Sequence, residues 1–283
     1  MLLKWSCIGL TLVAGLVYFN QRKLIYPSNM PEGARENVDT PSMHGFTDDQ
    51  WEELSIKTPD GIHLQAYFIK QASSTPTTAI LYCQANAGNI GHRIPIARML
   101  YRRFHCHVFM FSYRGYGKSQ GYAYEQGIKI DAATMLKYLK GRSEVRDVVV
   151  FGQSIGGAVA IDLVASHEQD VKALVVENTF TSVPDLVPFV IPMLRYFTFL
   201  CTEKWWSLNR IRLIERIPVL FLVGDRDELI PPFMSKKLFD AVKTTKKEIV
   251  TIQGGMHNDT CIKPDYWTHL IAFWKKQISM GDE

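Results

Sequence analysis

One serine in this chain is placed where it could act as a nucleophile. In F-G-Q-S-I-G-G, residues 151–157, Ser154 stands between Gly152 and Gly156, after the run D-V-V-V-F and before the apolar stretch G-A-V-A-I-D-L-V-A-S-H. A serine hydroxyl at its ordinary pKa attacks poorly, so it needs a base and a group that orients the base. Both residue types follow it: Asp225 and Asp227 in G-D-R-D-E-L-I-P-P, then His257 in G-G-M-H-N-D-T. If they meet in space, the three can carry acyl transfer, with the imidazole moving the proton and the carboxylate fixing its tautomer. Each also has a plain structural role open to it. The aspartates can cap the helix expected from Pro232, and His257 is one of eight histidines.

The chemistry depends on the elements that hold these residues. Short apolar runs, T-A-I-L-Y-C, H-V-F-M-F-S, D-V-V-V-F-G, K-A-L-V-V-E, P-V-L-F-L-V and E-I-V-T-I-Q, alternate with helical stretches. That pattern predicts an α/β protein with a mostly parallel sheet buried on both faces. Ahead of it, W-E-E-L-S-I-K-T-P-D-G-I-H-L-Q-A-Y-F-I-K predicts an antiparallel hairpin with strands near 52–57 and 63–69. In this setting Ser154 sits on a sharp strand-to-helix turn, which lifts its hydroxyl off the sheet edge and aims the first amides of the helix at the same place. The aspartate and histidine loops also follow strands, on the rim where open α/β sheets bind ligands.

A second G-x-S-x-G, at Gly117, Ser119 and Gly121, lies in a loop beyond its strand and lacks the strand-turn-helix setting. The same loop carries Ser112 where a P-loop needs glycine and Gln120 where the dinucleotide fingerprint needs one, so phosphate cradling is unsupported.

Composition narrows the function classes. The 283 residues are 47% hydrophobic and 21% charged, which predicts a folded globular chain. The net charge of +4 is mild, and no basic cluster interleaves with aromatics, which argues against nucleic-acid binding. Five cysteines, with no C-x-x-C pair, give neither a disulfide framework nor zinc spacing, and His105-Cys106-His107 lacks further ligands.

The N-terminus departs from this average. Trp5 to Phe19 carries no charge, and with Leu2 and Leu3 a helix there reaches about 27 Å, close to the thickness of a bilayer core. The run ends in Val17, Tyr18 and Phe19 without a small-residue cleavage site, so the expectation is an uncleaved single-pass anchor with its flank over residues 1–26. A short buried helix is the other reading. Lys4 and the α-amine nearly balance Arg22 and Lys23, so flanking charge sets no orientation. An endomembrane such as the endoplasmic reticulum or another organelle is the expected location. The one glycosylation sequon, Asn258-Asp259-Thr260, adjoins His257 and favours a cytosolic domain or an unused sequon. Residues 27–50, with Pro27, Pro31, Gly33 and Pro41, read as a linker or extended wrap before a domain spanning 51–283.

The ordered set Q-A-N-A-G-N-I-G-H-R, Y-R-G-Y-G-K-S-Q-G, F-G-Q-S-I-G-G, E-N-T-F-T-S, D-R-D-E-L-I-P-P and G-G-M-H-N-D-T resembles the Bem-type α/β-hydrolases, the bud-emergence-suppressor family of membrane-anchored serine hydrolases. The resemblance runs almost the length of the chain. It implies an α/β-hydrolase fold and kinship with hydrolases that remove acyl groups from palmitoylated proteins. The anchor and a cap expected over residues 181–213 together favour an acyl thioester or lipid ester, and a small soluble ester is the other reading. The chemistry needs no cofactor or metal. The resemblance makes Ser154 the nucleophile, His257 the base and Asp227 the orienting acid, with Asp225 next and Glu177, ending K-A-L-V-V-E, third. It implies oxyanion donors at the backbone amides of Asn86 and Ile155. One departure stands out: the family reads H-G-N-A-G-N where this chain has Gln84-Ala85-Asn86-Ala87-Gly88-Asn89. The Cβ of Ala85 restricts a position where glycine is free, and a displaced donor typically costs about 10²- to 10³-fold in rate. A membrane-anchored binding scaffold without useful catalysis is therefore the competing reading.

Residues 181–213, T-S-V-P-D-L-V-P-F-V-I-P-M-L-R-Y-F-T-F-L-C-T-E-K-W-W-S-L-N-R-I-R-L, are rich in aromatics and prolines and predict a small helical cap over the site. Its apolar side chains suit either a lipid chain or packing onto the sheet.

Overall fold

The computed structural model describes residue 15 and residues 17–279. Eight strands form one sheet: β1 (Trp51–Lys57), β2 (His63–Ile69), β3 (Thr77–Cys83), β4 (His107–Phe111), β5 (Val145–Gln153), β6 (Ala173–Glu177), β7 (Val219–Gly224) and β8 (Lys247–Ile252). Their spatial order is β1-β2-β4-β3-β5-β6-β7-β8. The hairpin β1/β2 and the β2/β4 pair are antiparallel, and β4, β3, β5, β6, β7 and β8 run parallel. The parallel strands need crossovers, which α2 (Ile94–Phe104), α3 (Glu125–Lys140), α4 (Ile155–His167) and α7 (Pro232–Ala241) supply. The closing helix is α8 (Pro264–Gln277).

The central strands read as unbroken apolar runs because both faces are covered. On one face Phe109, Val150 and Val176 pack with Leu136 of α3 and Ile161 of α4. On the other, Val108, Phe151 and Val175 pack with Leu100 of α2 and Phe273 of α8. This burial drives the fold, at roughly 25 cal/mol per Å² of apolar surface removed from water. Register then fixes the site: Cys83 pairs with Gly152 and Gln153 with Glu177, so β3, β5 and β6 end level with one another.

Between β6 and β7 lies the segment expected to be a cap. It folds as α5 (Val183–Val190), a 3₁₀ stretch (Pro192–Leu200) and α6 (Ser207–Ile211). The Ser182 Oγ caps α5 by accepting the Asp185 amide at 3.1 Å.

Residues 27–50 lie against the domain. The Asn89 side-chain amide donates to the carbonyls of Ala34 and Asn37 at 2.8 Å each, and the Gly88 amide donates to the Met30 carbonyl at 2.7 Å. Phe46 is buried with α2 in the second core. The segment is thus a strap fastened to the β3–α2 loop.

Most of the anchor expected over residues 1–26 lies outside the described residues. Its C-terminal part is helical over 17–25 (α1), and among the described residues no helix is long and apolar enough to cross a membrane.

Candidate active site

The turn after β5 has little freedom. Ser154 holds φ 57° and ψ −123°, a conformation that L-residues adopt only under constraint. The turn closes because two glycines let backbones nearly touch. A Cβ at Gly152 would lie 2.2 Å from the Gly156 carbonyl oxygen, and one at Gly156 would lie 2.1 Å from the Cys83 carbonyl oxygen. The Ser154 amide donates to the Glu177 carbonyl at 2.9 Å, and Thr179 Oγ1 donates to the Ser154 carbonyl at 2.8 Å. Strand β6 and its following loop therefore over-determine the strained serine.

Gly156→Ala is expected to destabilise the fold by at least about 1–3 kcal/mol, since the obstructing atom belongs to the backbone of β3 and cannot swing aside. Thermal unfolding would show this as a Tm lower by about 2–4 °C per kcal/mol. An unchanged Tm would contradict this account of the turn.

The structure brings Ser154, His257 and Asp227 together. His257 Nε2 lies 3.0 Å from Ser154 Oγ, and His257 Nδ1 lies 2.8 Å from Asp227 Oδ2. An ionised carboxylate only accepts, so Nδ1 carries the proton and Nε2 is left free to accept from the serine. Asp227 is held in turn, because its Oδ1 accepts the Leu229 and Ile230 amides at 2.9 and 2.8 Å. The His257 and Asp227 side chains are 6% and 1% exposed, so the relay is shielded from water.

The other two carboxylates take different places. Asp225 is exposed, and no side-chain contact joins it to His257. Glu177 is buried and accepts from Thr260 Oγ1 and from the Tyr266 hydroxyl at 2.7 Å, so it braces the histidine loop against α8. Burial holds its carboxyl above the usual carboxylate range.

One positioning residue escaped the sequence reading. Asn178 follows β6 at φ 45°; its Nδ2 donates to the His257 carbonyl at 3.0 Å, and its Oδ1 accepts the Gly224 amide at 2.8 Å. A single side chain thus ties the end of β7 to the histidine loop. The signal was an asparagine straight after a strand, since asparagine tolerates the left-handed region better than most residues.

Asn86, Ile155, Ser154 and His257 line one cavity of about 280 Å³. The Asn86 and Ile155 amides donate to no other group among the described residues, and Ile155 opens α4, where amides point outward. The loop bearing Asn86 is fastened from behind: the hydroxyls of Tyr113 and Tyr116 donate to the carbonyls of Gln84 and Asn86 at 2.9 and 2.8 Å. Ala85 is buried and is not among the residues with positive φ, so its Cβ meets no left-handed strain. The departure shows instead at Gln84, whose fully buried amide group has no protein partner among the described residues.

Comparison with known proteins bears on the family. A family model for the alpha/beta hydrolase fold matches residues 78–198. The protein bem46 of Schizosaccharomyces pombe is 42% identical over 273 residues, covering 95% of this chain and 90% of that protein. The chain belongs to the Bem46-type α/β-hydrolases. Two further Bem46-type relatives are an uncharacterized membrane protein of Saccharomyces cerevisiae and the alpha/beta hydrolase domain-containing protein WAV2 of Arabidopsis thaliana. The first is 40% identical, covering 93% of this chain and 92% of that protein; WAV2 is 37% identical, covering 93% and 90%. Among solved structures, an alpha-beta hydrolase from Vibrio vulnificus aligns with TM-score 0.71 at 17% identity, over 91% of this chain and 93% of that one. A Pyrococcus furiosus esterase aligns with TM-score 0.69 at 20% identity, over 86% and 95%. These likenesses establish the fold that the alternating pattern and the resemblance predicted.

Proposed function

We propose that this Bem46-type protein is a serine hydrolase of carboxylic esters or thioesters, including acyl-protein (palmitoyl) thioesters and lipid esters. The observation that carries this reading is the chain of contacts from Ser154 Oγ through His257 to Asp227 on a strained strand-to-helix turn. His257 Nε2 takes the hydroxyl proton as Ser154 Oγ bonds to the acyl carbon, and Asp227 stabilises the imidazolium. The oxygen that gains charge is received by the amides of Asn86 and Ile155. The C–O or C–S bond then breaks, His257 gives its proton to the leaving alcohol or thiol, and water repeats the sequence on the acyl-enzyme to release the acid.

The membrane is part of the same proposal. Residues 1–26 comprise a single-pass anchor to an endomembrane and its flank, a reading that the uncharged run Trp5–Phe19 and the printed name of the Saccharomyces cerevisiae relative support.

Turnover of p-nitrophenyl acetate by the full chain tests the hydrolase reading. Wild type should release nitrophenol and Ser154→Ala should not, at an equal Tm. Equal rates from both proteins would overturn it.

A further inference from the structure

The first described helix does more than lead into the domain. Leu24 and Ile25 of α1 line the same cavity as Ser154 and His257, opposite Val187 and Ile191 of the cap. The polar residues of that lining are Asn86, Ser154 and His257, all at the candidate reaction centre, and every other lining residue is aliphatic or aromatic. A second apolar cavity of about 80 Å³ lies between α1 and the cap, and Leu24, Ile25, Val183, Val187 and Ile191 line both. The space beside the serine thus shares its walls with a cleft that extends along α1 as far as Val17 and Tyr18.

A polar latch fixes this wall to the cap. Gln21 Oε1 accepts the Thr202 amide at 2.6 Å, Arg22 Nε donates to Glu203 Oε1 at 2.9 Å, and the Tyr26 hydroxyl donates to Glu203 Oε2 at 2.7 Å. Trp205 Nε1 donates to the same Tyr26 hydroxyl at 2.8 Å. The Glu203 side chain is 3% exposed, and its buried charge is compensated by Arg22 of α1, by the Tyr26 hydroxyl just after it and by the Glu125 amide at 2.5 Å. Burial also pushes the Tyr26 phenol far up, which keeps it a neutral donor. An element held this way is a fixed part of the cavity.

Building on the ester-hydrolase reading, we infer that a fatty-acyl chain lies between α1 and the cap, with its carbonyl at Ser154. Leu24 and Ile25 of the N-terminal helix, with Val187 and Ile191 of the cap, then select its length. The polarity at one end and the hydrocarbon walls beyond it match an acyl ester atom type by atom type. Each methylene buried along the cleft contributes to binding in the way apolar surface does elsewhere.

The experiment compares kcat/KM of the full chain on p-nitrophenyl acetate, octanoate and palmitate in detergent, for wild type, Val187→Trp and Leu24→Gln. The indole would fill the cleft, and the glutamine, at a position already 55% exposed, would make its wall polar without disturbing the core. Wild type should favour the longer esters, and in each variant the ratio of palmitate to acetate should fall about tenfold, the equivalent of losing two buried methylenes. Should Val187→Trp not fold, Leu24→Gln decides alone. A wild type that prefers acetate, or variants whose ratio equals that of wild type, would overturn the acyl cleft while leaving the hydrolase intact. Failure of wild type on all three esters would defeat the hydrolase reading itself.

Discussion

Replacing His257 by alanine is expected to lower kcat for ester hydrolysis by about 10⁶-fold, the loss seen when one member of a coupled nucleophile–base pair is removed. The size follows from the isolation of the site. Among the described residues Ser154 Oγ has one base within reach, His257 Nε2 at 3.0 Å. Two other carboxylates beside the histidine loop are committed elsewhere: Glu177 to Thr260 and Tyr266, and Glu228 to the His257 amide at 3.1 Å. Ser154 and His257 are 7% and 5% exposed, so little of their surface is open to a substitute acceptor. Initial rates on a nitrophenyl ester check this, with Tm as the control for folding. A decrease below about 10²-fold would mean that proton transfer runs elsewhere, because that is the lower end of what a positioned acid or base contributes.

The second large effect separates two aspartates that stand two residues apart. Asp227→Asn is expected to lower kcat by about 10⁴-fold. The substitution keeps the shape, and the Leu229 and Ile230 amides can still be accepted by the amide oxygen. The new amide nitrogen then faces His257 Nδ1 and donates to it, so the ring carries its proton on Nε2, where it can no longer accept from Ser154. Asp225→Asn, on an exposed side chain away from the histidine, should leave kcat within about twofold, as surface changes generally do. The same nitrophenyl assay on both variants decides the matter. Comparable losses in the two, or a larger loss at Asp225, would reassign the acid.

The contrast between these aspartates marks how far the sequence could be read. The strands were legible because a parallel sheet covered on both faces demands uninterrupted apolar runs: K-A-L-V-V-E became Ala173–Glu177 and P-V-L-F-L-V became Val219–Gly224. The turn at Ser154 was legible because only glycine fits where β5 meets the start of α4 and where α4 meets the backbone of β3. Which of Asp225 and Asp227 meets the histidine depends on which side chain the loop after β7 turns inward, and the amides that hold Asp227 in that place lie at Leu229 and Ile230. The resemblance favoured Asp227, whereas spacing alone left both open.

Long-range contacts were harder to foresee. Asn178 bridges to His257, 79 residues away, and Gln21 and Tyr26 reach the cap across 181 and 177 residues. No local periodicity encodes such pairings. The N-terminal segment read as an anchor because hydropathy weighs residues 5–19 together, and hydropathy does not reveal that Leu24 and Ile25 face a cavity. Residues 27–50 read as a linker or wrap because their prolines and polar residues conceal what fastens them, the carbonyls that Asn89 ties down.

The central claim is that Ser154 is activated in the folded chain, and a fluorophosphonate probe tests it most directly. Incubated with the full-length protein and followed by peptide mass mapping, the probe should modify Ser154 in wild type and fail to modify Ser154→Ala. A well-folded wild type that stays unlabelled, or a label mapped to another residue, would contradict the account, the first of these pointing to a scaffold without an activated nucleophile.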